Sequence, residues 1–288
     1  MKKLIALFLM SAAIYVACGD SPTYEPYDDE EALIDIVTKD YPTLFETNLI
    51  NTGIPDTTEL ARLDDLRILH YWRDVTGNNP HYDINANYPE SLGTTPYAIV
   101  TVTDSIEMDI HVIAEDTTAD SLVRITKPVY EKIQVKGRME QWGTQYDSRN
   151  GWIMQDISNA KGSSGSAYNA ISSVNLYSLS TGDITIYESQ MTSLTPITSI
   201  INTTKNQEVT ITVQGVSFND TISFHVGRDE YEVFIPEYIG DNTYQGVITT
   251  PDYSGYFHIT VDVIRKNTLA IESTHQFCRW SILLFIPS

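Results

Sequence analysis

The spacing of apolar residues predicts helices at the start of the main body of the chain. Apolar side chains after residue 28 recur at helical spacing; they are Leu33, Ile36, Val37, Tyr41 and Leu44. This pattern predicts a helix over residues 29–46. Asp56-Thr57-Thr58-Glu59 matches a capping box and predicts a second helix, carrying Leu60, Leu63 and Leu66, that extends as far as Trp72. Residues 76–96 hold three prolines, two glycines and four asparagines, which predicts a long loop.

From residue 97 onward the apolar period changes to two, which predicts strands. The apolar residues occupy even-numbered positions; they are Ala98, Val100, Val102, Ile106, Met108, Ile110 and Val112. One face is therefore expected to be buried and the other to be wet. Because a strand of this length exceeds the usual size, a hairpin or sharp bend is predicted at Thr103-Asp104-Ser105. Further strands are predicted at 122–126, 129–140 and 152–157, with a turn at Asn150-Gly151.

Helices followed by a meander of strands predict an α+β fold, with helices packed on one face of a curved antiparallel sheet. A resemblance to a known fold rests on three features of this region. They are the helix at 29–46, the strands at 97–114 and the ending Asn150-Gly151-Trp152-Ile153-Met154-Gln155-Asp156-Ile157-Ser158. Together they resemble the cone-shaped fold of nuclear transport factor two-like and cystatin-like proteins. The resemblance covers about residues 28–160 and implies a cone-like domain at 29–162. In that family the mouth of the cone holds a catalytic acid or a small ligand.

The second half of the chain has a different pattern. Lys161-Gly162-Ser163-Ser164-Gly165-Ser166 is a flexible run of small residues, and a domain boundary is predicted near it. Short alternating runs follow, separated by Asn, Asp and Gly at the spacing of a sandwich. Residues 163–288 resemble an immunoglobulin-like β-sandwich, without the Cys…Trp…Cys core of antibody domains. Residues 280–286 are apolar but too few to span a bilayer, so a closing strand is predicted there.

The first 17 residues have the pattern of an export signal. Lys2 and Lys3 precede an apolar run that is shorter than the roughly 20 residues of a membrane-spanning helix and that ends in small residues. Val16-Ala17-Cys18 resembles the lipobox of bacterial lipoproteins, although that family prefers Leu where this chain has Tyr15. The resemblance implies cleavage before Cys18 and attachment of acyl chains such as palmitate to that residue, which would hold the protein on a membrane.

Two alternatives to the lipid anchor stay open at this point. The leader could act as an uncleaved membrane anchor, or the cysteine could be incidental to an ordinary signal peptide. Residues 18–28 combine prolines with acidic residues and no apolar period, which predicts a disordered tether between the lipid and the folded body. The expected location is the bacterial cell envelope, with the membrane as a partner through Cys18.

Charge and cysteine content exclude several classes of function. The chain has 18 Lys and Arg against 38 Asp and Glu, a net charge of −20 that becomes −22 when the leader takes Lys2 and Lys3 with it. Such a surface repels nucleic acid, which is excluded as a partner. Of the two cysteines, acylation of Cys18 leaves Cys278 unpaired. Its apolar neighbours predict a buried, inert thiol.

No pattern predicts a metal, a cofactor or a catalytic residue. The six histidines show neither His-x-His nor His-Glu-x-x-His spacing, so zinc is not expected. His111, His225 and His258 fall on the polar positions of their strands and are predicted to be exposed to solvent. The run from Gly162 to Gly165 is not a nucleophile elbow, and the sequence has neither a phosphate-binding glycine loop nor EF-hand spacing.

A site in the mouth of the cone would be lined by aromatic and titratable residues; the candidates are His70, Trp72, Tyr82, Asp83, Trp142 and Tyr146. Of these, Trp72 and Trp142 suit a core position better than a pocket, because large aromatic side chains dominate such interiors. The 18 tyrosines of the chain suggest a surface that binds a glycan or an envelope protein, although tyrosine also favours half-buried strands.

These observations predict a non-enzymatic, lipid-anchored protein of the cell envelope that acts in adhesion, assembly or ligand binding. The alternative is an envelope enzyme, a hydrolase or an isomerase, with its site in the mouth of the cone. A pocket that holds a desolvated carboxylate beside a histidine or tyrosine would favour the enzyme.

Overall fold

The computed structural model describes residues 29–46, 61–63, 66–89, 93–164, 168–228, 231–269 and 275–288. The helices are α1 (Asp29–Asp35), which continues as a π-helical turn over Ile36–Asp40, α2 (Glu188–Met191), and 3₁₀ turns at Pro42–Phe45, Ser148–Gly151, Ile197–Ser199 and Lys266–Leu269. The strands are β1 (Ala61–Leu63), β2 (Leu66–Asn87), β3 (Tyr97–Asp116), β4 (Ser121–Gln141), β5 (Trp152–Ile157), β6 (Ala160–Ser163), β7 (Ser173–Ser178), β8 (Gly182–Tyr187), β9 (Thr195–Pro196), β10 (Ile201–Asn202), β11 (Glu208–Gln214), β12 (Thr221–Gly227), β13 (Tyr231–Phe234), β14 (Glu237–Gly240), β15 (Thr243–Thr249), β16 (Gly255–Ile264) and β17 (Phe277–Ile286).

The described residues form mostly β structure, so the predicted α+β fold with helices packed on a sheet is wrong. The first helix begins where predicted, but α1 and its π-helical turn end at Asp40. Of the second predicted helix, residues 61–63 lie in β1 and residues 66–72 lie in β2. The predicted capping box lies outside the described residues. Among the described residues, only one short helix with its π-helical turn packs on the core of the first half, and the described part of the second predicted helix is strand, so the predicted cone does not form.

A β-bulge explains why part of β2 has the apolar spacing of a helix. Ile68 and Tyr71 both point into the core although they are three positions apart, because the register of β2 against β3 shifts between Ile68 and His70. β2 then continues to Asn87 through the stretch that was predicted to be a loop. Pro80 is tolerated there because, among the described residues, this part of β2 pairs with β3 alone, as on an edge strand.

β2, β3 and β4 form a long antiparallel unit, here termed the ribbon. The even-numbered residues of β3 are buried through Ala114, as predicted. The predicted bend at 103–105 is wrong, since Asp104 keeps the alternation and lies on the buried face. The strands predicted at 122–126 and 129–140 are both present, as one continuous strand, β4.

One sheet connects the two predicted domains. Its main path runs β1-β2-β3-β4-β6-β17-β16-β12-β13, so β6 pairs with β4 and with β17, and the predicted boundary between residues 162 and 163 falls inside β6. A second sheet, β14-β15-β11-β7-β8, packs on β12, β16 and β17 around a shared apolar core. The second half is thus a two-sheet β-sandwich, but one of its sheets extends into the first half instead of closing an independent module.

β16 and β17 are buried on both faces. One face lies in the core of the sandwich with Cys278, which is buried as predicted. The other face carries the polar positions and is covered by the first half of the chain. His258 on β16 and His225 on the neighbouring β12 were predicted to be exposed, and each is only 1% exposed. The Nε2 of His258 donates a hydrogen bond to the carbonyl oxygen of Thr43 at 2.8 Å, and its Nδ1 accepts one from Ser281 Oγ at 3.0 Å.

Candidate functional site

A groove opens at the end of the ribbon where β4 leads into the loop of residues 142–151. Its volume is about 730 Å³. One wall is formed by the π-helical turn that follows α1 and by Tyr41, and the other by the loop and the start of β5. Its lining includes Ile36, Tyr41, Trp142, Asp147, Arg149 and Ile153. This groove, termed the Trp142 groove, is the candidate site.

Left-handed backbone conformations give the loop its shape. The φ angles of Arg149, Asn150 and Gly151 are 53°, 53° and 73°, so the turn predicted at Asn150-Gly151 is present. Gly151 also lies against Gly143, because a Cβ added to Gly151 would be 2.3 Å from the Cα of Gly143. The backbone N–H of Trp142 donates to the carbonyl of Gly151 at 2.9 Å, which closes the base of the loop.

Ion pairs hold the charged side chains of the groove in place. Arg149 donates to Asp35 at 2.6 Å and to both carboxylate oxygens of Asp40 at 2.8 and 2.9 Å. The hydrogen bond from Arg149 lowers the pKa of Asp40. Asp147 accepts hydrogen bonds from the backbone N–H of Thr144 at 2.7 Å and from its hydroxyl at 3.1 Å, and these bonds lower the pKa of Asp147. The lowered pKa values keep Asp40 and Asp147 ionised at neutral pH.

Asp29, the first residue of α1, fastens the helix to the groove. Its carboxylate accepts hydrogen bonds from Tyr88 at 2.6 Å, Asn150 at 2.8 Å and Trp152 at 3.1 Å. Burial alone would raise the pKa of Asp29, but these three hydrogen bonds outweigh burial and lower it. The residue that follows the predicted tether is therefore fixed beside the Trp142 groove.

Two aromatic side chains project from the loop into solvent. Trp142 is 67% exposed and Tyr146 is 76% exposed. The prediction that Trp142 lies in the core is wrong because β4 ends at Gln141 and leaves the indole at the rim. The indole N–H donates to Glu140 at 3.0 Å, so one edge of the ring is held while most of the side chain stays uncovered.

The six residues predicted to line one pocket do not come together. His70 and Trp72 lie on β2 near the opposite end of the ribbon, about 50 Å from the Trp142 groove by the strand register. Trp72 stacks there on His111, with ring centroids 4.8 Å apart. Tyr82 lies between the two ends and packs against the core, next to Asp83. Of the six candidates, Trp142 and Tyr146 lie at the end of the ribbon that holds the groove.

A second cluster of polar residues is buried between the ribbon and the sandwich and was not predicted. Arg73 of β2 binds Asp262 of β16 and also Glu131 of β4, the latter at 3.3 Å. Arg279 of β17 lies 3.2 Å from Glu131 and 3.3 Å from Asp262. His275 Nε2 lies 3.2 Å from Glu131. These five residues, termed the buried charge cluster, join distant strands, and the directly bonded Arg73 and Asp262 are 189 positions apart in the chain.

The buried charge cluster is held in its ionised form. Burial alone would raise the pKa values of Glu131 and Asp262, but Arg279 and Arg73 outweigh burial and lower both. Glu131 beside His275 is a desolvated carboxylate next to a histidine, as the enzyme alternative requires. However, the two guanidinium groups keep Glu131 deprotonated, which makes it a poor general acid. Neither the Trp142 groove nor a smaller cleft of about 180 Å³ beside β8 is lined by it.

The sequence does contain a signal for the buried charge cluster. Asp262 and Arg279 are the charged residues of two strands that are otherwise apolar or neutral polar, and they are direct cross-strand partners in β16 and β17. An acid and a base placed in two neighbouring apolar strands suggest a buried ion pair. Their partners Arg73 and Glu131 carry no comparable signal, because their strands contain many polar residues.

The described part of the chain contains neither a metal-binding cluster nor a helix suited to span a membrane. No group of three or more His, Cys, Asp or Glu side chains there could hold a metal ion. Among the same residues, none of the helices combines the length and apolar character needed to cross a membrane.

Comparison with known proteins does not place the chain in a family. No protein-family model matches it, and no curated protein does. Among solved structures, the pullulanase from Bacillus acidopullulyticus is 8% identical over 77% of this chain and 34% of that protein, with a TM-score of 0.18. The chain thus spans about a third of that protein's length. A similarity of this size supports no conclusion about fold or function.

Proposed function

We propose that this chain is an exported lipoprotein, anchored in a bacterial membrane through Cys18, whose β body binds a ligand of the cell envelope without catalysing a reaction. The proposal rests on the leader, which has a cationic start, a short apolar run and Cys18 directly after Val16-Ala17. Several acyl chains on one residue are enough for stable anchoring, whereas a single chain binds only marginally. Residues 1–28 lie outside the described part of the structure.

The Trp142 groove supports a binding role for the body. It is an open surface with a fixed, exposed indole and charged groups that are already oriented by hydrogen bonds. Binding sites typically combine apolar area with a few oriented polar groups of this kind. The enzyme alternative depends on a site in the mouth of a cone, and that fold is not the one observed.

Replacement of Cys18 tests the anchor. In a bacterial host that processes lipoproteins, the wild-type protein should sediment with membranes, enter the detergent phase, incorporate labelled palmitate and have a mass that includes the lipid. Cys18→Ala should abolish all four properties. Cys278→Ala, which removes the other cysteine of the chain, should abolish none of them. Unchanged fractionation and mass in Cys18→Ala would show that the lipid assignment is wrong.

A further inference from the structure

The exposed ring of Trp142 is held in position by a chain of ion pairs and hydrogen bonds. Asp156 of β5 accepts from Arg138 at 3.0 Å, and Arg138 also binds Glu140, which accepts the indole N–H of Trp142. The indole is therefore attached by its edge to a network of charged side chains. A flat aromatic face that is both fixed and exposed can stack on an apolar surface at little cost in side-chain entropy.

The charges of the groove do not suit an anionic ligand. Among the described residues that line it, Arg149 is the one cation, and its guanidinium is bonded to Asp35 and Asp40. Asp147 adds a further negative charge. The net charge of the whole chain, −20, also repels anions at long range. Phosphate groups and acidic sugars would meet neither an uncommitted cation nor a favourable field.

The same polar groups suit hydroxyl groups. Each carboxylate oxygen of Asp40 accepts one bond from Arg149, and a carboxylate oxygen can accept more than one hydrogen bond. Asp147 is oriented by Thr144 through one oxygen, Oδ2. The groove thus offers oriented acceptors beside an exposed aromatic face. A pyranose ring has the matching chemistry, since its C–H face stacks on an indole while its hydroxyls donate at the edge.

We infer that the Trp142 groove binds an uncharged glycan, with one sugar ring stacked on Trp142 and neighbouring hydroxyls bonded to Asp40, Asp147 or Arg149. This inference rests on the proposed function, in which the groove is the binding site of the body. A peptide anchor instead requires a closed apolar pocket for its side chain. Trp142 projects from the rim and does not line such a pocket, which favours the glycan over a peptide.

The test uses the full-length protein in detergent and a fixed panel of probes. The panel contains the neutral polymers dextran, mannan and xylan, the anionic polymer alginate, and an oligolysine peptide. Retardation in affinity gels gives the affinity for each polymer, and tryptophan fluorescence reports contact with the ring. Trp152 is 3% exposed and Trp280 is fully buried, so the solvent-sensitive signal comes from Trp142 and from the partly exposed Trp72. Trp72 lies near the other end of the ribbon and is unchanged in Trp142→Ala, so a shift that this variant loses is assigned to Trp142.

At least one neutral polymer should bind and shift the fluorescence, and alginate should not bind. Trp142→Ala should weaken this binding at least tenfold and abolish the shift, whereas Trp142→Phe should retain most of the affinity. Tyr130→Ala is the matched control, because Tyr130 is an aromatic residue of β4 that is 64% exposed and lies away from the groove. This variant should bind the neutral polymer as tightly as the wild type does.

Three results would overturn the inference. They are the absence of binding by every neutral polymer, equal binding by Trp142→Ala, and Trp142-dependent binding of oligolysine alone. The last result would assign the groove to a cationic peptide and would leave the binding role intact. The lipid anchor is tested separately from glycan binding, because it is measured by the fractionation and mass of Cys18→Ala.

Discussion

Replacing Arg73 by Met removes one of the two arginines from the buried charge cluster. Arg73 is 1% exposed and binds Asp262 and Glu131, so without it Asp262 would depend on Arg279, and Glu131 on Arg279 and His275. Methionine is long enough to occupy most of the vacated space, which limits any effect of a cavity. The main consequence is one uncompensated negative charge in the interior between the ribbon and the sandwich.

Removal of one partner from a buried ion pair costs about 3–5 kcal/mol, because the remaining charge has lost its solvation and its partner. In Arg73→Met, protonation of one carboxyl group would relieve part of this cost. The pKa of that group would then lie above its value in the unfolded chain. Stability from such a group is present at low pH and is lost as the pH rises through the folded-state pKa. The cost of the substitution should therefore be larger at pH 8 than at pH 5.

Urea unfolding at both pH values, followed by far-ultraviolet circular dichroism and by fluorescence, measures this cost. Equal m-values for variant and wild type are needed for the comparison. Arg67→Met is the control on the same strand, because Arg67 pairs with Glu115 at 3.3 Å while both side chains are partly exposed, at 40% and 34%. It should change the unfolding free energy by less than about 1 kcal/mol. The reasoning is refuted if Arg73→Met also costs less than about 1 kcal/mol, or if its cost is the same at both pH values.

Two further predictions concern the buried histidines and the groove loop. Burial lowers the pKa of His258 to about 4, so below pH 6.5 the unfolded chain binds a proton that the folded chain excludes. This residue should lower the free energy of unfolding by about 2 kcal/mol as the pH decreases to 5. In urea unfolding, His258→Gln should flatten the dependence of that free energy on pH between 6.5 and 5. An unchanged slope would contradict the lowered pKa of His258. Gly151→Ala should destabilise the protein by about 1–3 kcal/mol and weaken ligand binding in the groove, because φ is 73° and the new Cβ would overlap Gly143. Gly182→Ala is its control in the same urea and binding assays, with a φ of 70° but open space around the new Cβ, and an equal loss in both variants would show that the overlap is unimportant.

Local signals in the sequence predicted several elements correctly. Strict alternation along β3 predicts its buried face, since that pattern depends only on the period of the strand. The turn at Asn150-Gly151 is also local, because these residues tolerate positive φ. The apolar run at 280–286 lies in β17 and is buried, and Cys278 is buried beside it. The candidates Trp142 and Tyr146 lie at the groove end, although for a different reason from the predicted cone.

The errors occurred where distant parts of the chain decide the environment of a residue. The residues predicted to extend the second helix beyond Leu66 instead pair with β3, and the bulge in that pairing places Ile68 and Tyr71, three positions apart, on the buried face. The polar positions of β16 predict solvent on one side, but the first half of the chain covers that side and buries His258 and Asp262.

The sequence alone determined the period-two strands, the local turns, the acidic charge and the expectation of a lipid on Cys18. Each of these depends on residues that are neighbours in the chain. Tertiary structure alone decided which polar faces are buried, because the covering residues lie far away in the chain, 189 positions for Arg73 and Asp262 and 215 positions for Thr43 and His258. It also decided that the two halves share a sheet through β6, and that Trp142 stands exposed at the rim of a groove. The burial of a strand face depends on the residues that pack against it, and the apolar pattern within the strand does not specify those residues.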